Sequence, residues 1–299
     1  MKLPPALLSA ALLLARPVGA QDLEPRAYSP SPIGTTFFVV TATRSSGGIF
    51  TDTSSPITDV DAKLGVLGLG AGHTFGLAGR QVLLLGAAPV VWGEASGSIG
   101  EDRRTATRRG LGDLRVKLST ILAGSPAMPP AEFARAPRRT ILGVSLTVVP
   151  PTGQYFPEKL VNIGSNRWSF KPEIGVSYPT GRWTIDGYAG VWFFTDNDEY
   201  YPGTSLREQD PITALQGHVS YTFARRAWVA FDATWYTGGQ SRIDGVLKAD
   251  QQRNTRLGAV LAVPIGARQS IKVAYSAGAT TRVGADFRTV TIGWQVVFF

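Results

Sequence analysis

The stretch Asn166–Tyr178, NRWSFKPEIGVSY, alternates along its whole length. Trp168, Phe170, Pro172, Ile174, Val176 and Tyr178 share one parity; Arg167, Ser169, Lys171, Glu173, Gly175 and Ser177 share the other. A two-residue period belongs to an extended strand with one apolar and one polar face. Trp168 and Tyr178 lie ten residues apart on the apolar side, and Trp183 and Phe193 repeat the interval in the next segment, RWTIDGYAGVWFF. At roughly 3.3 Å per residue and a tilt near 40 degrees, ten residues climb about 25 Å, the height of the lipid-facing band between the aromatic girdles of a membrane barrel. A soluble sandwich has no reason to place aromatics at this interval, so the stripe is read as facing lipid.

Outward from this stretch the same rhythm recurs. Twelve segments are read as strands, at about 34–43, 60–73, 80–92, 110–123, 138–149, 166–178, 182–194, 212–223, 227–237, 253–264, 269–279 and 286–299. Tight connections (75–79, 179–181, 224–226, 265–268) alternate with long ones (44–59, 93–109, 150–165, 195–211, 238–252). The sequence therefore predicts an all-β protein: a transmembrane antiparallel up-and-down barrel of about twelve strands, with short periplasmic turns and longer extracellular loops. SPAMPPAEFARAP at 124–137 departs from that rule, being long on the short-turn side. An even strand number and closure hide every sheet edge.

Residues 1–20, MKLPPALLSAALLLARPVGA, have the charged start, short apolar run and small residues of a cleavable signal peptide. They imply export to the outer membrane of a Gram-negative cell. Residues 21–33 are expected as a short periplasmic segment and 34–299 as one barrel domain. Lys2 and Arg16 leave with the leader and no acid does, so the mature chain remains basic from a formal net charge of +8. Its arginines are scattered, which argues against nucleic acid and for outer-membrane lipid, lipopolysaccharide or anionic solutes as partners. There is no cysteine, so nothing is held by disulfides. The terminal Phe299 resembles the tag read by the barrel-assembly machinery, although Val290, Ile292, Trp294, Val296 and Phe298 form the oilier parity of the last strand and would turn Phe299 inward.

The polar parities place Asp113, Arg115, Lys117, Lys171, Glu173, Asp186, His218, Asp232 and Arg256 in a wet lumen, where mixed signs serve either a salt-bridge lattice or a selectivity surface. Trp168, Tyr178, Trp183 and Phe193 are the girdle. Arg103, Arg104, Arg108 and Arg109 fall in a long loop. His73 and His218 are the whole histidine complement, without metal-ligand spacing, so neither a metal nor any other cofactor is expected. GAGHTFG at 70–76 precedes no helix and is read as close-packed barrel glycines rather than a dinucleotide loop.

RRGLGDLRVKLS (108–119), TILGVSLTVVPPTGQY (140–155), LVNIGSNRWSFKPEIGVSY (160–178), GVWFFTDN (190–197), YTGGQSRIDG (236–245) and VAYSAGATTRVGADF (273–287) resemble the outer-membrane transporter family labelled "putative MetA-pathway of phenol degradation". The resemblance covers about residues 28–299. It implies a β-barrel in the outer membrane and suggests passage of small, often aromatic compounds; it brings no catalytic or binding residues. The reading is a passive channel for small organic solutes and not an enzyme. The alternatives are a lipid hydrolase or acyltransferase using His218 or His73 with a nearby serine, and a plugged barrel whose long loops recognise a surface.

Overall fold

The computed structural model describes residues 23–52, 57–223 and 226–299; the signal peptide expected at 1–20 lies outside the described residues. The strands are β1 Thr36–Phe50, β2 Ile57–Leu77, β3 Arg80–Ile99, β4 Asp102–Leu111, β5 Arg115–Ala123, β6 Ile141–Val149, β7 Ser169–Thr180 and β8 Trp183–Phe194. They continue with β9 Asn197–Tyr200, β10 Ser205–Gln209, β11 Ile212–Thr222, β12 Trp228–Gly238, β13 Ser241–Ile243, β14 Val246–Leu247, β15 Gln252–Ile265, β16 Gln269–Thr280 and β17 Gly284–Phe298. One short helix, α1 Pro130–Phe133, lies in the connection from β5 to β6. That connection is the long segment on the short-turn rim; it is pinned there by Ala127 N–H donating to the Gly79 carbonyl and by a bridge between Arg80 and Pro126.

Twelve of these strands close into an antiparallel barrel in the order β1, β2, β3, β5, β6, β7, β8, β11, β12, β15, β16, β17, with β17 pairing back to β1 from Thr36↔Phe298 to Phe50↔Gly284. Closure follows from local chemistry. The hairpin between β2 and β3 turns on Ala78 and Gly79, both at positive φ (48° and 74°), as a two-residue turn matched to the strand twist requires. The stripes read from the sequence face outward: Trp168, Tyr178, Trp183 and Phe193 are 44%, 51%, 48% and 45% exposed, with Ile174, Val176 and Ile185 between them. The opposite faces hold buried Ser119, Ser145, Ser169, Gln216, Ser220 and Thr234. An outward apolar band around a polar interior is the inverse of a soluble core and suits a barrel dissolved in lipid.

Two of the expected long loops are instead strand. Residues 44–59 and 93–109 are mostly taken up by the far ends of β1 to β3 and by β4. β2 runs for 21 residues, about twice the 9–11 needed to cross a bilayer, so the hairpins project beyond the lipid. β3 pairs with β5 through Val82–Ala87 and with β4 through Val90–Ile99. At the switch, Pro89 has no N–H to offer the ladder, and its carbonyl accepts from Gly112 at 2.9 Å. The segments 195–211 and 238–252 contribute β9, β10, β13 and β14, which form a small separate sheet at the same end.

Candidate channel lumen

Of the periplasmic segment expected at 21–33, the described residues 23–33 run into the barrel from the short-turn end. Tyr28 is buried inside, its hydroxyl 3.0 Å from Ser145 Oγ on β6 and donating to Glu173 Oε1 on β7 at 3.1 Å. Its ring meets Tyr188 of β8 edge-on at 5.2 Å between centroids. The niche is made by two glycines paired across β6 and β7, Gly143 and Gly175, where any side chain would collide with the Tyr28 ring. Arg26 donates to Ser220 Oγ and Thr222 Oγ1 of β11 and lies over the Trp228 ring, while Glu24 forms an ion pair of 2.9 Å with Lys117 of β5. Leu23 occupies the space that a side chain at Gly258 of β15 would take. Glu24, Arg26 and Tyr28 were not legible as lumen residues, since the segment has no strand period. The sequence signal that points to them is the inward glycine in both TILGVSL and PEIGVSY.

The charged residues assigned to the lumen fall into four places. Lys117, Lys171 and Glu173 gather around the N-terminal segment: Lys171 pairs with Glu173 at 2.5 Å, and Glu173 also accepts from Gln216 Nε2 at 3.2 Å. Lys171 and Arg115 stand over the Trp192 ring at 5.8 and 6.0 Å from its centroid, a cation–π arrangement favoured out of bulk water. On the neighbouring strands β11 and β12, His218 Nδ1 lies 2.6 Å from Asp232 Oδ1, both side chains wholly buried, and Asp186 faces His218 across the β8–β11 ladder. Arg256 sits apart, donating to Ser276 Oγ and the Phe287 carbonyl. Asp113 anchors a loop: its Oδ1 accepts from Gly153 N–H, and its Oδ2 from the N–H and hydroxyl of Ser165.

His73 lies away from all of these, exposed on the outer face at the short-turn rim, where its Nδ1 is 2.8 Å from Thr36 Oγ1. Among the described residues no three His, Asp or Glu side chains gather as metal ligands do. The arginines of 103–109 lie on β4, where Arg103 pairs with Asp61 at 3.1 Å and Arg108 donates to the Val161 carbonyl.

Beside Glu24, the interior keeps a cavity of about 350 Å³. Val66, Leu85, Val149, Trp192 and Phe194 line it, with Arg115 and Asp113 as its polar corner. It is an amphiphilic space: apolar walls large enough for a small organic molecule, with charged residues of both signs, Glu24, Asp113 and Arg115, at one side.

Comparison with solved structures places this fold. The COG4313 outer membrane channel from Pseudomonas putida F1 superposes with a TM-score of 0.77 at 21% identity, covering 93% of this chain and all of that one. The transport unit of the autotransporter AIDA-I from Escherichia coli gives a TM-score of 0.57 at 11% identity over 99% of this chain and all of its own. No match was found among curated proteins. Residues 43–294 match the model of one family, and with its period-two strands, outward aromatic girdle and closed twelve-stranded wall the chain belongs to that outer-membrane barrel family, described as "Putative MetA-pathway of phenol degradation".

Proposed function

We propose that this barrel is a passive channel for small organic solutes, apolar and aromatic ones among them. The observation that carries the reading is the cavity of about 350 Å³ beside the N-terminal segment, walled by Trp192, Phe194, Leu85 and Val149. An entirely hydrophilic pore has no use for such walls, and an inert barrel of this width would fill them with side chains. The family's description, which concerns phenol degradation, supports aromatic solutes.

Liposome swelling with the purified protein tests this. Small phenols and phenolic acids should permeate faster than sugars of equal size; absence of permeation by every solute would rule out a channel. Replacing Lys117 and Lys171 with Glu should move the reversal potential toward cations in planar bilayers, and an unchanged potential would remove both residues from the path. Substituting His73 and His218 together should leave permeation standing, whereas a lipid-modifying enzyme relying on them would be silenced.

A further inference from the structure

A second cavity, of about 440 Å³, lies inside the short-turn mouth, beneath the N-terminal segment. Its walls come from three parts of the chain: Arg26 and Pro30 of that segment, Met128, Phe133, Arg138 and Arg139 of the connection from β5 to β6, and the inward Ile141, Ser177 and Thr184 of β6, β7 and β8. Three guanidinium groups line it, and no carboxylate does.

The hydrogen bonds these arginines make are to neutral groups, and the nearest acid, Asp186, acts on Arg26 from outside the lining. Arg138 donates to the Gly181 carbonyl at 3.1 Å and to Thr184 Oγ1 at 2.9 Å, and Arg26 donates to two hydroxyls, so their partners are neutral. Arg139 makes no hydrogen bond or ion pair among the described residues. The acids nearby are Glu132, exposed on α1, and Asp186, one inward position deeper on β8 than Thr184; neither reaches the lining. Pro30, Met128, Phe133 and Ile141 supply an apolar surface on the other side.

We propose that this mouth cavity is a binding site for a small organic carboxylate with an apolar or aromatic body, held at the point where solute leaves the barrel. The volume lies within the range of small-molecule sites, about 300–1,000 Å³. Guanidinium forks match a carboxylate in plane, and burying the ring of the same molecule against proline, methionine and phenylalanine adds an apolar contribution that a bare inorganic anion cannot make. A phospholipid headgroup is the poorer occupant because the lining residues of β6 to β8 face the lumen and not the bilayer. The direction of travel rests on the channel reading; binding does not.

Calorimetric titration of the full mature chain in detergent with sodium benzoate tests the site, with benzyl alcohol and inorganic phosphate as comparators. Benzoate should bind at least tenfold more tightly than either. Arg139→Gln, at an exposed residue with no bond to lose, should weaken benzoate by on the order of tenfold, Arg138→Gln with Arg139→Gln should weaken it further, and Arg139→Lys should restore part of the loss. Absence of benzoate binding, equal binding of benzyl alcohol or phosphate, or indifference to the substitutions would each overturn the assignment. Loss of all uptake by wild type with benzoate binding intact would defeat the channel and leave the site standing.

Discussion

Replacing Tyr28 with alanine should release the N-terminal segment from the lumen. The ring is buried between Gly143, Gly175 and Tyr188, and a buried tyrosine hides at least about 150 Å², worth about 4 kcal/mol at about 25 cal/mol per Å². That corresponds to roughly a thousandfold change in the ratio of docked to released segment, and about thirtyfold if half of the area stays covered in the released state. Tyr28→Phe keeps the ring and loses the hydroxyl that faces Ser145 and Glu173, a loss of about 1–3 kcal/mol, so its effect should be smaller than that of alanine. Planar-bilayer recording should show Tyr28→Ala spending far more time at high conductance than wild type. Trypsin should cut after Arg26, which wild type shelters through its bonds to Ser220 and Thr222. Conductance and cleavage equal to wild type would show that Tyr28 does not hold the segment in place.

Gly175→Val should reproduce that phenotype with Tyr28 still present, since a side chain there enters the ring's space; a wild-type recording would refute the niche. Asp113→Ala removes the acceptor of three bonds to Gly153 and Ser165, each worth about 1.5–3 kcal/mol. Trypsin should then cut after Lys159 at least tenfold faster, and an unchanged rate would mean the loop is held elsewhere. His218→Ala leaves the Asp232 carboxylate buried without its partner, at a cost of about 3–5 kcal/mol. The unfolding temperature on gels of unboiled samples should fall, and His218→Ala with Asp232→Ala together should recover part of it; a single variant as stable as wild type would show that this contact does not hold the barrel together.

The route of the N-terminal segment was hidden because residues 23–35 have no period, and their place in the lumen depends on glycines more than a hundred residues away. β4 is hidden for a different reason. DRRTATRRGL sets two arginine pairs around threonine and alanine; outside the bilayer no apolar stripe is needed, so the pattern that reveals a membrane strand is absent. Asp113 lies on the inward parity of its segment and borders the cavity, but the break in the ladder at Gly112 and Pro89 also gives its carboxylate to the loop at Gly153 and Ser165, which parity does not reveal.

Sequence alone determined the barrel, its twelve strands and, where the alternation is clean, which side of a strand faces lipid, because alternation is a property of neighbouring residues and the solvent on each face selects side chains one at a time. The tertiary structure decided which charges meet, Glu24 with Lys117 and His218 with Asp232, what fills the lumen and where its two cavities lie. Those depend on register around a closed ring and on residues brought together from distant parts of the chain, and no local pattern encodes them.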